Sequence, residues 1–354
     1  MMLSPISFSS LLWLFAFLNA SALALPSRKP YVPNYFASRA ENGKCAELLV
    51  RKEWRTLNDA EKKDYIGAVK CLMSRPAQHP VYPEAVTRFD EFQAYHMSVA
   101  DVVHNVGQFL PWHRLYLRLY DQAMRTECGY KGPTPYWDWS LDSKDATSLH
   151  TSPVLDPNTG FGGNGVPGTY TLPPNINITS NRIFPDSFVG CVKDGPFADH
   201  TVHLGPGQLR TNHCLVRGLN ESQYANLDAQ AVARTLSQAT YEPFWIELEG
   251  QPLTPSFRLH DGGHVMVGGE MSNFYSSPGD PIFYLHHGNL DRIWWQWQQQ
   301  SSAHLYEISG RSTPDPPFQN VTLDFILPLG ELGPSLPIRD VMDIHASPNC
   351  YTYA

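Results

Sequence analysis

Apolar and polar residues along this chain alternate with a helical period in two regions, separated by a long irregular middle. The stretch at 45–73, "CAELLVRKEWRTLNDAEKKDYIGAVKCLM", reads as two helices, with Asn58 or Asp59 as the turn or cap before the second. Helical patterning continues over 85–127, and Pro133 and Pro135 close it. From about 141 to 214 the chain is dominated by Gly, Pro, Asn, Thr and Ser, as in "SPVLDPNTGFGGNGVPGTYTLPPN". Hydrophobic anchors recur through that stretch, so it reads as ordered loop structure and not as a disordered linker. Helical patterning returns over 221–237 and again around His260 and His287. The pattern predicts a mainly α fold, a four-helix bundle with long Gly/Pro-rich loops around its mouth.

The amino terminus carries the apolar run "LLWLFAFL" followed by small residues at Ala20, Ala22 and Ala24. A run of that length is too short to span a bilayer and reads as a cleaved signal peptide over 1–24, although no basic residue precedes Arg28. Residues 25–354 are then expected to form a single catalytic domain. No later stretch is long and apolar enough for a membrane helix, so the expected location is secreted or in the lumen of the secretory pathway, with no membrane contact after cleavage.

Cysteine usage changes the picture in the same direction. Six cysteines form an even set suited to three disulfides in an oxidising compartment, and fifteen pairings are possible. The expected set is Cys45 with Cys71, Cys191 with Cys214, and Cys128 with Cys350. Asn177, Asn220 and Asn320 each begin a glycosylation sequon. A net charge of -8 with no basic run argues against a nucleic-acid partner. Nine tryptophans, seventeen tyrosines and seventeen phenylalanines predict an aromatic-rich core, with a few rings near the site free to stack on an aromatic substrate.

Histidine supplies the chemistry. His96, His104 and His113 fall in "YHMSVADVVHNVGQFLPWHR", and His260, His264 and His287 in "LHDGGHVMVGGEM" and "SPGDPIFYLHHGNLDR". Neutral imidazole is the commonest protein ligand of first-row transition metals, so two groups of three predict two metal ions close together. His260 and His264 are four apart and leave one face of a helix. Asp280 is a candidate N-cap and Pro281 a candidate first helical residue, which puts His287 in an early turn. Asp291, four residues on, is a candidate acceptor for the second N–H of a ligating imidazole. His104 and His113 would stand on opposite faces of one straight helix, roughly 13 Å apart, so a break is needed. Gly107 and Pro111 permit it, with Pro111 opening a helix that carries His113 in its first turn and His96 near the end of the helix before. The pair His200 and His203 in "HTVH" reads as loop chemistry and not as a metal site.

These segments resemble the tyrosinase, catechol oxidase and hemocyanin group of type-3 dicopper proteins. The matching stretches are "HNVGQFLPWHRLYL" and "DPIFYLHHGNLDRIWW", with "HDGGH" and "GGEM" between them, and the similarity runs from about Cys45 to the terminal "CYTYA". The resemblance implies that His96, His104 and His113 hold one copper and His260, His264 and His287 the other, with His286 a neighbour and Tyr351 and Tyr353 a closing tyrosine motif. It implies a phenol or o-diphenol oxidase, forming o-quinones with dioxygen from a small aromatic substrate, with a place in secondary metabolism. Glu249 is similar in position to the family's water-holding glutamate, with Glu247 nearly as good a candidate.

The chain also departs from its relatives. Asp261 stands where they place Asn or Gly, and a carboxylate there either accepts a substrate proton or caps the ligand helix. Val102 replaces the cysteine of the local thioether of many fungal members, and Asp121 replaces a glutamate after the copper A segment. The long C-terminal shielding domain of some proenzymes is not expected. These departures keep a second reading open, a non-oxidative lyase that resembles the hemocyanin-like cyclopenases of quinolone alkaloid biosynthesis and holds two zinc ions, since zinc accepts the same ligands. An oxygen carrier is the third and weakest reading.

Overall fold

Among the described residues Asn58 opens the first long helix, α1 (Asp59–Ser74): its side chain accepts the Glu61 N–H, and the Glu61 side chain accepts the Asn58 N–H in return. The computed structural model describes residues 45–354; the expected signal peptide at 1–24 lies outside them. Thr87 and Asp90 repeat the arrangement at the start of α2 (Arg88–Val103). A short turn leads into α3 (Phe109–Cys128), which stops at Gly129 in the left-handed conformation. After the loop-rich middle come two short helices, α4 (Tyr224–Leu227) and α5 (Ala229–Leu236), divided at Asp228, which caps the second. Then follow α6 (Tyr241–Glu249), α7 (Leu259–Val267) and α8 (Ile282–Gln298). The Asp280 carboxylate accepts the Ile282 N–H at 3.0 Å, and α8 begins at Ile282, one residue later than expected, with Pro281 in the cap position.

The fold is mainly α. Helix α3 packs between α1 and α8, α2 lies against α1 and α3, and α7 crosses onto α8. Seven tryptophans are fully buried among these elements, and Tyr120 of α3 stacks on Tyr284 of α8 with ring centroids 3.5 Å apart. The middle region is held by short strands: Gly165–Pro167, Gly190–Val192 and Val216–Arg217 form one antiparallel sheet, and Thr201–Val202 pairs with His213–Cys214. Among the described residues no helix is long and apolar enough to cross a membrane.

Three expectations need correction. The segment before Asn58 is not a helix: Leu49–Arg51 is a strand paired in parallel with Tyr351–Tyr353, followed by a single turn at Trp54–Thr56. Local propensity is overridden there by contact with the far end of the chain. The same contact rearranges the disulfides, which join Cys45 to Cys350, Cys71 to Cys128 and, as expected, Cys191 to Cys214. Cys71 of α1 meets Cys128 because α1 and α3 lie side by side. Finally, Asp291 serves no imidazole. It is buried among Arg114 (2.5 Å), Arg51 (3.3 Å), Tyr351 (2.5 Å) and Tyr353 (2.5 Å). Burial opposes its charge, but the two guanidinium groups hold its pKa below the usual carboxylate range.

Candidate metal centre

Four helices bring the six histidines together. His96 comes from the middle of α2, which runs further than expected, and His104 sits at that helix's C-cap. Asn105 turns the chain in the left-handed conformation (φ 59°), and α3 starts at Phe109, two residues before Pro111, to present His113. His260 and His264 share one face of α7, and His287 projects from the second turn of α8. Ligand atoms of His96, His104 and His113 lie within 4.8 Å of one another, and so do those of His260, His264 and His287. The two groups touch: His113 stacks on His287 at 4.4 Å and 13°, and His104 lies 5.9 Å from His260.

Backbone carbonyls set the tautomers. Nδ1 of His96 donates to Tyr275 O (2.8 Å), of His104 to Ala100 O (2.9 Å), and of His113 to Phe109 O (2.9 Å). On the other side, Nδ1 of His260 donates to Glu249 O (3.2 Å) and that of His264 to Met271 O (2.7 Å). A proton on Nδ1 leaves a lone pair on Nε2. Yet Nε2 of His264 stands 3.1 Å from Nε2 of His260 and 3.2 Å from Nε2 of His287, while Nε2 of His96 and of His113 is buried with no partner. Facing lone pairs repel, and buried unpaired acceptors are costly, so this arrangement fits a cation at each group. Burial keeps the rings neutral, as ligation requires: it lowers the His96 pKa to about 4 and that of His264 to about 3, and takes the other four well below the ordinary value.

His286 points elsewhere. Its Nε2 donates to His260 O at 3.0 Å and its Nδ1 accepts from Trp139 Nε1 at 3.0 Å, so it braces the His260 backbone. Gly263 in "HDGGH" makes room for that ring, since a Cβ there would lie 2.3 Å from His286 Cε1. His203 lies 2.9 Å from Asp90, apart from both groups.

A cavity of about 290 Å³ opens onto His104, His260 and His264. Phe257, Val265 and Phe274 supply apolar wall, and Asn105, Glu249, Asp261 and Arg182 supply polar groups. Glu249 and Glu247 are now distinct. Glu247 pairs with Arg234 and Arg258, whereas Glu249 is buried, accepting the Asn105 N–H at 2.7 Å and the Trp245 indole N–H at 2.5 Å. Burial raises its pKa to about 8. Asp261 accepts three backbone N–H groups, from Arg258 (2.6 Å), Gln251 (2.7 Å) and Gly262 (2.9 Å), and burial still lifts its pKa to about 7. Gly250, at φ 99°, lies so close to that carboxylate that a Cβ would meet it at 2.2 Å. Phe274 and Arg182 were not visible as site residues. Both lie in irregular segments, where no periodicity marks the face turned inward.

A family model described as the common central domain of tyrosinase matches residues 86–300. The chain is 36% identical over 337 residues to a tyrosinase-like protein, phomQ1', of Diaporthe leptostromiformis, covering 87% of this chain and 80% of that one. It is 33% identical over 340 residues to N-acetyl-6-hydroxytryptophan oxidase ivoB of Emericella nidulans, covering 86% and 92%. Among solved structures, a point mutant of polyphenol oxidase from Thermothelomyces thermophila superposes with a TM-score of 0.75 at 32% identity, over 87% of this chain and 89% of that one.

Proposed function

Because this chain belongs to the tyrosinase family, we propose that it is a copper oxidase that converts phenols or o-diphenols to o-quinones with dioxygen. The observation that carries the reading is the convergence of imidazole Nε2 atoms, unprotonated wherever Nδ1 donates to a backbone carbonyl, in two touching groups beside an apolar-walled cavity. His96, His104 and His113 would hold one copper, and His260, His264 and His287 the other. When bound, the coppers supply the exchange of electrons between substrate and dioxygen. The protein supplies a rigid ligand set, a dry recess and a route for protons. Names of the similar proteins, a polyphenol oxidase and an oxidase of N-acetyl-6-hydroxytryptophan, support a hydroxylated aromatic substrate.

In this reading the ring of the substrate enters between Phe257, Val265 and Phe274, where aromatic and apolar contacts orient it. Its hydroxyl must lose a proton before oxidation. Asp261 is the acceptor: a carboxylate offers about four lone-pair positions, and three N–H donors leave one at Oδ2. Glu249 keeps the Asn105 turn beside His104 in place, and its own carbonyl orients His260, so it holds the two halves of the site in register.

Three disulfides support maturation in an oxidising compartment and hence secretion, with 1–24 as the leader and 25–354 as one catalytic domain. Oxygen consumption with 4-methylcatechol by the copper-loaded protein tests the reading, and it should vanish in His264→Ala. A fully copper-loaded protein that consumes no oxygen with catechols would overturn it.

A further inference from the structure

We propose that Arg182 is a specificity residue which selects phenols carrying a carboxylate on a short side chain, an inference that rests on the phenol oxidase reading above. Among the described residues lining the cavity, histidines aside, Arg182 bears the cationic side chain. Its guanidinium lies 3.8 Å from the centroid of the Phe274 ring, and that ring lies 4.6 Å from the His104 imidazole. Arg182 therefore stands one aromatic ring away from the histidines. An aromatic substrate that reaches the centre with its hydroxyl edge presents its opposite end at this distance.

The position is built, not incidental. Arg182 has φ 49°, a conformation that costs a non-glycine residue free energy. Its carbonyl and that of Asn181 accept the side-chain amide of Asn273, which is 1% exposed and so pins the loop to the segment carrying Phe274. Contact with the Phe274 ring face holds the guanidinium against the wall, and its five N–H donors can serve a planar partner. One contact engages these donors, 3.4 Å from one nitrogen to Asp101. Both partners there are well exposed, and Asp101 also accepts the Tyr275 hydroxyl at 3.0 Å. A substrate carboxylate offers the guanidinium a second, bidentate partner in a partly dry recess. Among the described residues Arg182 pairs with Asp101 and with neither Asp261 nor Glu249, which accept N–H donors of their own.

Calorimetric binding of 3-phenylpropionate and 3-phenylpropionamide to the metal-loaded protein tests the inference without turnover, since neither carries a hydroxyl. Wild type should bind the acid roughly tenfold to a hundredfold more tightly than the amide. Arg182→Gln should bring the two to equal affinity, and Arg182→Lys should retain part of the preference. A preference that survives Arg182→Gln, or none in wild type, overturns the proposal. Oxidation of 4-methylcatechol, which has no carboxylate, is measured on the copper-loaded wild type. Its absence in wild type, with the acid preference intact, would sink the oxidase reading alone.

Discussion

Arg114 and Asp291 meet at 2.5 Å, neither side chain more than 3% exposed, and this pair fastens α3 to α8 directly behind the histidines. Arg114 follows His113 in sequence, and Asp291 lies one turn beyond His287. Arg51, Tyr351 and Tyr353 converge on the same carboxylate, bringing the first and last strands into one buried network.

Removing that carboxylate leaves two guanidinium groups buried and uncompensated. Asp291→Ala should lower the stability of the protein by about 3–5 kcal/mol. Chemical denaturation measures it, and a loss within experimental error of zero would show that the network is not a principal restraint between α3 and α8.

Asp261 links proton chemistry to helix capping, and two substitutions separate these. Asp261→Asn keeps one carbonyl oxygen for the amide donors but cannot take up the substrate proton. It should lower kcat at least tenfold while metal content stays at wild-type level. Asp261→Gly should add a stability loss of about 0.5–2 kcal/mol, since the Arg258 and Gln251 N–H groups lose their acceptor. Unchanged kcat in Asp261→Asn would reduce the residue to a cap.

The buried pair His213 and Glu270 makes stability depend on pH independently of the metal centre. Burial alone would lower the His213 pKa, but the Glu270 carboxylate 2.6 Å away outweighs it and the pKa is raised. A histidine raised on folding contributes stability that is fully present below its unfolded pKa, about 6.5, and is lost as pH rises through the folded value. Glu270→Gln removes the charge that raises it. Wild type should exceed this variant in melting temperature by a wider margin at about pH 6 than at about pH 9. An equal or widening margin at the higher pH would contradict the assignment.

What the sequence disclosed follows from the range of each interaction. The grouping of the six histidines was legible because helical spacing places side chains on faces, and the need for a break between His104 and His113 was legible because backbone chemistry is local, but the chain turns at Asn105 and Pro111 lies inside α3. The same spacing put Asp291 on the face of His287 but could not say what else reaches that face; Arg51 and Tyr353 arrive from the two ends of the chain. Two of the three disulfides were mispaired for the same reason, since Cys45 and Cys350 are 305 residues apart. Glu249 and Glu247 could not be separated without knowing which side of α6 faces inward. Arg182 depends on a loop conformation that no periodicity announces.

The most direct test of the central claim is metal analysis of protein purified without added metal, followed by oxygen uptake with a catechol. Wild-type protein should carry two copper ions per chain and consume oxygen in proportion to its copper content, and His264→Ala should lose copper and oxygen uptake together. Two zinc ions with no oxygen uptake, even after exchange to copper, would contradict the claim and favour the non-oxidative lyase.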